Sequence, residues 1–265
     1  MAKRKNGLTE KKIAQMEKEG RGVGHGEEYK PWINIQDFPS SGLATRTKGW
    51  KTKRIHQFLS KLERDYFYIM EWSDVVVDIR EQYPLVREDT VSIASELGLK
   101  HPLDPTTKVP IVMTTDFLLT LKTSKGTVYL ARTIKPSGEL EKQRTMEKFE
   151  IERSYWESRG IDWAIVTERD LPKMVIENIE WLHSSYFKFE EIKENVLMTY
   201  KEKMKLHISN YNTSIIEVVT EFDQQYHLEE GMGLEILKQM IAHKELKIDI
   251  NNKILTHLWI EDVFQ

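Results

Sequence analysis

Two neighbouring stretches of the 265-residue chain carry residues whose types and spacing could do chemistry. The first, Val112-Met-Thr-Thr-Asp116-Phe-Leu-Leu-Thr-Leu-Lys122, holds a single carboxylate, Asp116. The second, Gly126-Thr-Val-Tyr-Leu-Ala-Arg-Thr133-Ile134-Lys135, ends in a Thr-x-Lys triplet. Both read as strands, at about 113–122 and 126–135, with Ser124-Lys-Gly126 as the turn between them. Pro136 has no amide hydrogen, so the ladder stops after Lys135. Hydrolysis of a phosphodiester at neutral pH needs a nucleophilic water, neutralised phosphate charge and help for the leaving oxygen, and divalent metals supply all three. Asp116 is the candidate central ligand. Lys135 is the candidate contact to the scissile phosphate and the attacking water. Glu63, from the helix that precedes the sheet, could complete the cage. The carbonyl of Ile134 faces the same place if Thr133 and Lys135 share one strand face. Solvated strand residues are the competing reading for Asp116 and Lys135, and the spacing alone does not decide between the two.

Composition narrows the chemistry further. The chain has no cysteine, which excludes disulfides, thiolate zinc sites and a cysteine nucleophile, and which suits a reducing, cytoplasmic setting. Its eight histidines are scattered, and no two lie three or four residues apart, so no helical His pair can clamp a metal. A metal site would be built mainly from oxygen ligands, which favours Mg²⁺ or Mn²⁺. No apolar run approaches the roughly 20 residues of a membrane span. The net charge of −3 hides an asymmetry: residues 1–54 hold thirteen Lys/Arg against six Asp/Glu. A basic arm on an acidic body can hold phosphates, although a solvated tail explains it equally well.

The elements that must position these residues follow in chain order. Residues 8–20 read as a short amphipathic helix that Gly20 ends. Gly20-Arg-Gly-Val-Gly24-His25-Gly26 is a glycine-rich loop; its spacing matches no nucleotide-binding fingerprint, so a connector is the plainer reading than a phosphate cradle. Ser40-Ser-Gly42 reads as a turn. Arg46, Lys48, Lys51, Lys53 and Arg54 surround Trp50, a mixture that suits a nucleic-acid backbone or a solvated loop. Leu59 to Trp72 reads as a helix in which Ser60 and Glu63 fit a capping box, the structural alternative for Glu63. Val75 to about Tyr83 is the first strand, ended by Pro84. Residues 88–110 read as loop with a helical turn at Val91–Leu97. After the hairpin, a helix runs from Gly138 to about Ser158, with Leu140, Met146, Phe149, Tyr155 and Trp156 as its buried side. Asp162 to Thr167 is a short strand. A hairpin followed by a crossover helix implies a mixed sheet flanked by helices, an α/β core.

Leu171-Pro172 marks a boundary, giving domains of 1–170 and 171–265. The second is mainly helical, at about 173–183, 189–204, 213–226 and 229–243, the last interrupted near Gly231-Met-Gly233. Leu246 to Ile250 and Lys253-Ile-Leu255, joined by Asn251-Asn252, read as a small hairpin. Helices followed by a hairpin outline a winged helix-turn-helix.

Several blocks together resemble a known family. They are Glu19-Gly-Arg-Gly-Val-Gly-His-Gly26 with Tyr29 and Pro31-Trp32, then Pro39-Ser-Ser-Gly42, Leu59-Ser-Lys-Leu-Glu63, Asp78-Ile-Arg-Glu-Gln-Tyr-Pro-Leu85, Thr115-Asp116-Phe, Ile134-Lys135-Pro136 and Glu177-Asn-Ile-Glu-Trp-Leu182. Through most of residues 19–183 the chain resembles the TnsA-type endonuclease subunit of heteromeric cut-and-paste transposases, which has the restriction-endonuclease-like fold. The resemblance implies catalytic roles for Glu63, Asp116 and Lys135. It implies a metal site of Glu63, Asp116, Thr133 and Ile134, holding two Mg²⁺ ions for which Mn²⁺ can substitute. The family position two before the lysine is Gln in one relative and Glu or Asp in most of the wider fold; Thr133 offers only a short neutral hydroxyl. The implied activity is strand cleavage at the 5′ ends of a transposon. The implied partners are double-stranded DNA at the transposon ends, an integrase-type transposase that cuts and joins the 3′ ends, and an ATP-dependent regulator contacted through the winged-helix-like region. Glu229, Glu230 and Glu235 near the expected recognition helix favour protein docking there over groove reading. A repair nuclease of the RecB-like type would place Gln-x-x-x-Tyr on the helix after the lysine, but Gln143 is followed four places on by Glu147. A non-catalytic DNA-binding and assembly subunit is the alternative from another class.

Overall fold

The computed structural model describes residues 7–37, 44–210, 213–254 and 257–264. The basic residues Lys3 to Lys5, the Pro39–Gly42 turn and Leu255 lie outside these. The chain divides into two compact units, Met1–Leu171 and Pro172–Gln265.

In the first unit, Thr9 caps α1 (Glu10–Lys18) by accepting a hydrogen bond from the Lys12 amide. A two-stranded antiparallel hairpin follows, β1 (Thr45–Lys48) and β2 (Ile55–Phe58). Then come α2 (Lys61–Trp72), β3 (Val76–Pro84), α3 (Arg87–Glu96), β4 (Thr114–Thr123), β5 (Gly126–Ile134), α4 (Gln143–Glu157) and β6 (Asp162–Val166). The second sheet has the order β3-β4-β5-β6. Its first two pairings are antiparallel, and β6 joins β5 in parallel after the α4 crossover. The mixed sheet flanked by helices is the α/β core expected from the sequence.

Successive strand residues point to opposite faces of a sheet, and Phe117 and Leu118 of β4 show this directly. On one face Phe117 meets Tyr66 of α2 and Phe58 of β2, with ring centroids 5.3 and 6.1 Å apart, and Phe58 meets Phe67 at 4.8 Å. On the other, Leu118 and Ala131 pack with Ile151, Tyr155 and Trp156 of α4 and with Ala94 of α3. The sheet is thereby clamped between α2 and α4.

Several readings need correction. Residues 87–96 form a complete helix, not one turn in a loop; the stretch carries a weak apolar stripe, so periodicity under-reports it. The basic stretch after residue 44 is the β1–β2 hairpin, and Trp50 is buried against Trp72 with ring centroids 6.5 Å apart, out of reach for stacking on bases. Arg54 is also internal. It donates to Glu81 with both terminal nitrogens and to the Ile79 carbonyl at 2.9 Å, while His56 lies 2.9 Å from Glu81. Burial opposes the charge on Glu81, but His56 and Arg54 outweigh it and hold its carboxyl well below the usual carboxylate range. This network ties the hairpin to β3. On α4, Met146 is exposed instead of buried.

The second unit is helical, as expected: α5 (Lys173–His183), α6 (Glu194–Asn210), α7 (Ile215–Tyr226), α8 (Met232–Ala242) and the short α9 (Ile260–Val263). Ser214 and Glu217 form a capping box at the start of α7. Asp223 accepts from the amides of Gly231 and Gly233 at 2.8 and 2.6 Å, which starts α8 where the sequence suggested an interruption. The expected β-hairpin over 246–255 is not formed among the described residues. Single bridges join Ile248 to Phe264 and Ser214 to Trp259 instead, and Asn178 accepts from the Ile254 amide and donates to the carbonyls of Ile250 and Asn252. A buried asparagine thus takes the backbone groups that a second strand would have paired.

Removing one partner of the buried ion pair exposes its worth. Arg54→Met strands the Glu81 charge and is expected to cost about 3–5 kcal/mol in urea unfolding of the full chain. Lys53→Ala, on the exposed tip of the same hairpin, is expected to change stability by less than about 0.5 kcal/mol.

Candidate metal centre

β4 and β5 are antiparallel neighbours, paired from Phe117–Arg132 to Thr123–Gly126. Beyond the Phe117–Arg132 pair the strands bring Asp116 and the Thr133-Ile134-Lys135 segment together. Asp116 is 7% exposed, and its Oδ2 accepts from the Ile134 amide at 2.8 Å and from Lys135 Nζ at 3.0 Å. Its Oδ1 accepts from Gln82 Nε2 on β3 at 3.3 Å. Ile134 therefore enters the site through its N–H, where its carbonyl was the expected group.

Glu63 reaches the same cleft from the first turn of α2. One of its carboxylate oxygens accepts from the Leu59 amide at 3.0 Å and the other from the Ser60 hydroxyl at 2.8 Å, while Ser60 Oγ accepts from the Glu63 amide at 3.2 Å. The cap is real, and it orients a carboxylate that also feels Asp116 and Lys135. Burial and the Asp116 charge push the Glu63 carboxyl up to about 7, against the pull of the Leu59 amide, Ser60 and Lys135. Lys135 shifts upward, first because of Asp116, with Glu63 and Glu152 adding to the effect, so it stays a cation.

Glu152 joins the cleft in addition to the residues that the sequence pattern singles out. It lies on α4 and its side chain is buried against the end of β5. Thr133 Oγ1 donates to Glu152 Oε1 at 2.5 Å and Thr115 Oγ1 donates to the same oxygen at 2.7 Å. Each hydroxyl in turn accepts from a tryptophan, Trp163 Nε1 at 3.1 Å and Trp156 Nε1 at 2.6 Å. Two parallel Trp–Thr relays thus converge on one carboxylate oxygen. Burial pushes the Glu152 carboxyl up to about 7 despite these two donors. A signal was available: Glu152 sits three residues after Phe149 and four before Trp156, a carboxylate on an otherwise apolar helix stripe.

Glu63, Gln82, Asp116, Thr133, Lys135 and Glu152 line one cleft of about 350 Å³, with the exposed Lys148 of α4 at its edge. A second cleft of about 450 Å³ lies between the glycine-rich loop and β2, but its cations are engaged. Arg21 binds Glu19 and Asp37, Lys30 donates to the Glu19 carbonyl, and Arg54 is paired with Glu81.

Three carboxylates face one adjacent lysine in the smaller cleft. Burial is the main cause of the raised Glu63 and Glu152 carboxyls, and the neighbouring Asp116 charge adds to it, because protonation relieves both. The donors are all oxygens, the set that suits a hard divalent cation. Among the described residues no three acidic or histidine side chains stand close enough to clamp an ion as they are. The donor set fits such a cation by charge and chemistry, and closing on it would require side-chain movement.

A family model described as TnsA-like endonuclease N terminal matches residues 73–168, and one described as TnsA endonuclease C terminal matches residues 170–250. The Escherichia coli protein described as Transposon Tn7 transposition protein TnsA is 40% identical over 250 residues, covering 94% of this chain and 90% of its own. Asp116, Lys135 and Glu152 fall inside the first match; Glu63 precedes it.

The buried carboxyls set a pH dependence. Glu152 titrates near 7 when folded, above its usual 4.5, so its share of stability is full below 4.5 and is lost as pH rises through 7. Glu152→Gln keeps an oxygen for both threonines and loses the charge. It is expected to be more stable than the parent by up to about 3 kcal/mol at pH 8, with the gap closing at pH 4.5. Urea unfolding at the two pH values checks this, and a gap independent of pH contradicts it.

Proposed function

The chain belongs to the TnsA endonuclease family, and from that premise we propose that it is the endonuclease subunit of a transposase that hydrolyses DNA at the 5′ ends of its transposon with Mg²⁺, or Mn²⁺ in its place. The observation that carries the reading is the convergence of Glu63, Asp116 and Glu152 on Lys135 in one cleft. Glu63, Asp116 and Glu152 would hold one or two ions, with the Ile134 amide holding Asp116 in place. Bound there, a divalent cation neutralises phosphate charge and acidifies a water for attack.

The chain's own residues do the rest. Lys135 is protonated and half-exposed, so it serves as the fixed cation that meets a phosphate oxygen and offsets the charge that develops on it. Asp116 holds Lys135 at 3.0 Å and so sets where that cation stands. Glu63 is fixed at a helix N-terminus by its capping bonds, which limits its movement when DNA arrives. Thr133 acts through Glu152: its proton is committed to that carboxylate, so we assign it the role of a positioning residue in place of a direct ligand. Glu152 then supplies, from α4, the negative charge that the strand position of Thr133 lacks.

The family also suggests the company the protein keeps: transposon-end DNA, an integrase-type partner that processes the 3′ ends, and an ATP-dependent regulator. The C-terminal unit fits docking on protein better than on DNA. Glu229 and Glu230 stand exposed just before α8, and Glu235 is already tied to Ser185 at 2.8 Å. Among the described residues, no helix is long and apolar enough to cross a membrane.

Asp116→Ala and Lys135→Ala are each expected to reduce 5′-end cleavage by at least about a hundredfold while leaving assembly with the partner intact. A strand-resolved end-cleavage assay with Mg²⁺ and the partner transposase reads this. Undiminished 5′ cutting by either variant would remove the proposed site, and lost assembly would point to a structural role.

A further inference from the structure

Gln82 is the one residue of β3 with a left-handed backbone, at φ 49°. Side chains other than glycine adopt that region rarely, and in mid-strand it breaks the ladder. The break falls opposite Asp116, between the paired residues Glu81–Phe117 and Tyr83–Thr115. Gln82 is 2% exposed and borders the cleft. Its Nε2 donates to Asp116 Oδ1 at 3.3 Å, and its Oε1 accepts from Thr114 Oγ1 at 3.2 Å. Both ends of the carboxamide are used, each on a residue at the start of β4.

The kink is held from outside the sheet. β3 is an edge strand, and the segment after the glycine-rich loop covers that edge. Tyr29 donates its hydroxyl to the Glu81 carbonyl at 3.1 Å, and the Trp32 amide donates to the Gln82 carbonyl at 3.2 Å. Gly22 packs so closely on Pro84 that a Cβ there would fall 2.2 Å from its ring. The glycine-rich loop is thus a clamp on the distorted end of β3. Strain of this kind persists only where its surroundings over-determine it, and it gathers at functional sites.

We infer that Gln82 is a positioning residue for Asp116, and that the N-terminal loop exists in part to hold it in that role. The inference rests on the reading of the cleft as a metal-holding nuclease site. With Ile134 and Lys135 on Oδ2 and Gln82 on Oδ1, the Asp116 carboxylate is restrained on both oxygens. Loss of the Gln82 bond frees its rotation without removing a ligand. Partners of this type are worth roughly 10–100-fold in metal affinity or activity.

Gln82→Met keeps shape and burial but makes neither hydrogen bond, and Gln82→Gly removes the strain together with the carboxamide. Both are expected to fold cooperatively in the full chain, and to bind Mn²⁺ roughly 10–100-fold more weakly in the absence of DNA, read from the paramagnetic resonance signal of free Mn²⁺. Turnover in the end-cleavage reaction should fall with the affinity, while the concentration of end DNA needed for half-maximal rate stays unchanged. Parental Mn²⁺ affinity and turnover in Gln82→Met would overturn the inference; should that variant not fold, Gln82→Gly decides in the same way. If the parent itself binds no Mn²⁺, the metal reading fails, and the side-chain amide resonances of Gln82 in the metal-free protein decide this one. Movement on Asp116→Asn supports the contact, and unmoved resonances refute it.

Discussion

Three carboxyl groups brought together in one cleft govern how this protein is built. Glu63, Asp116 and Glu152 arrive from α2, β4 and α4, and among the described residues Lys135 is the cation adjacent to them. Each carboxylate is restrained by dedicated donors: a helix cap for Glu63, a strand amide and a glutamine for Asp116, two threonines for Glu152. Such restraint is costly unless the groups are wanted where they stand. Burial, with the Asp116 charge adding to it, favours protons on Glu63 and Glu152 near neutral pH, and a divalent cation would displace them.

The architecture follows from that requirement. A mixed sheet offers two adjacent strand ends, and clamping it between α2 and α4 brings one carboxylate from each helix to those ends. The buried Arg54–Glu81–His56 network and the clamp on Gln82 then fix β3, the edge strand beside Asp116. Charged groups are buried in the support as well as in the site, so the support is rigid only while its pairs stay complete.

Much of this was legible in the sequence, and the omissions have physical reasons. Asp116 and Lys135 were readable because a hairpin with a proline stop leaves little freedom in register. Glu63 is ambiguous between cap and site in the sequence because its carboxylate caps α2 and also lines the cleft. Thr133 looked like a deficiency when judged as a ligand; its partner Glu152 lies 19 residues on, and only the crossover of α4 brings them together. Gln82 has no local signature, since a left-handed residue inside a strand is imposed by tertiary contacts from residues 22–32. The β1–β2 hairpin was hidden by short, polar strands. The expected hairpin at 246–255 had the turn residues it needed, but the Asn178 side chain captured its backbone groups.

On the proposed reading, a divalent cation that enters the cleft displaces the protons that burial favours on Glu63 and Glu152 near neutral pH. Calorimetric titration with Mg²⁺ at pH 7, in buffers of differing ionisation enthalpy, tests this directly. The expected result is binding with release of protons, seen as a heat that changes with the buffer. Absence of binding, or a heat that is the same in every buffer, would contradict it.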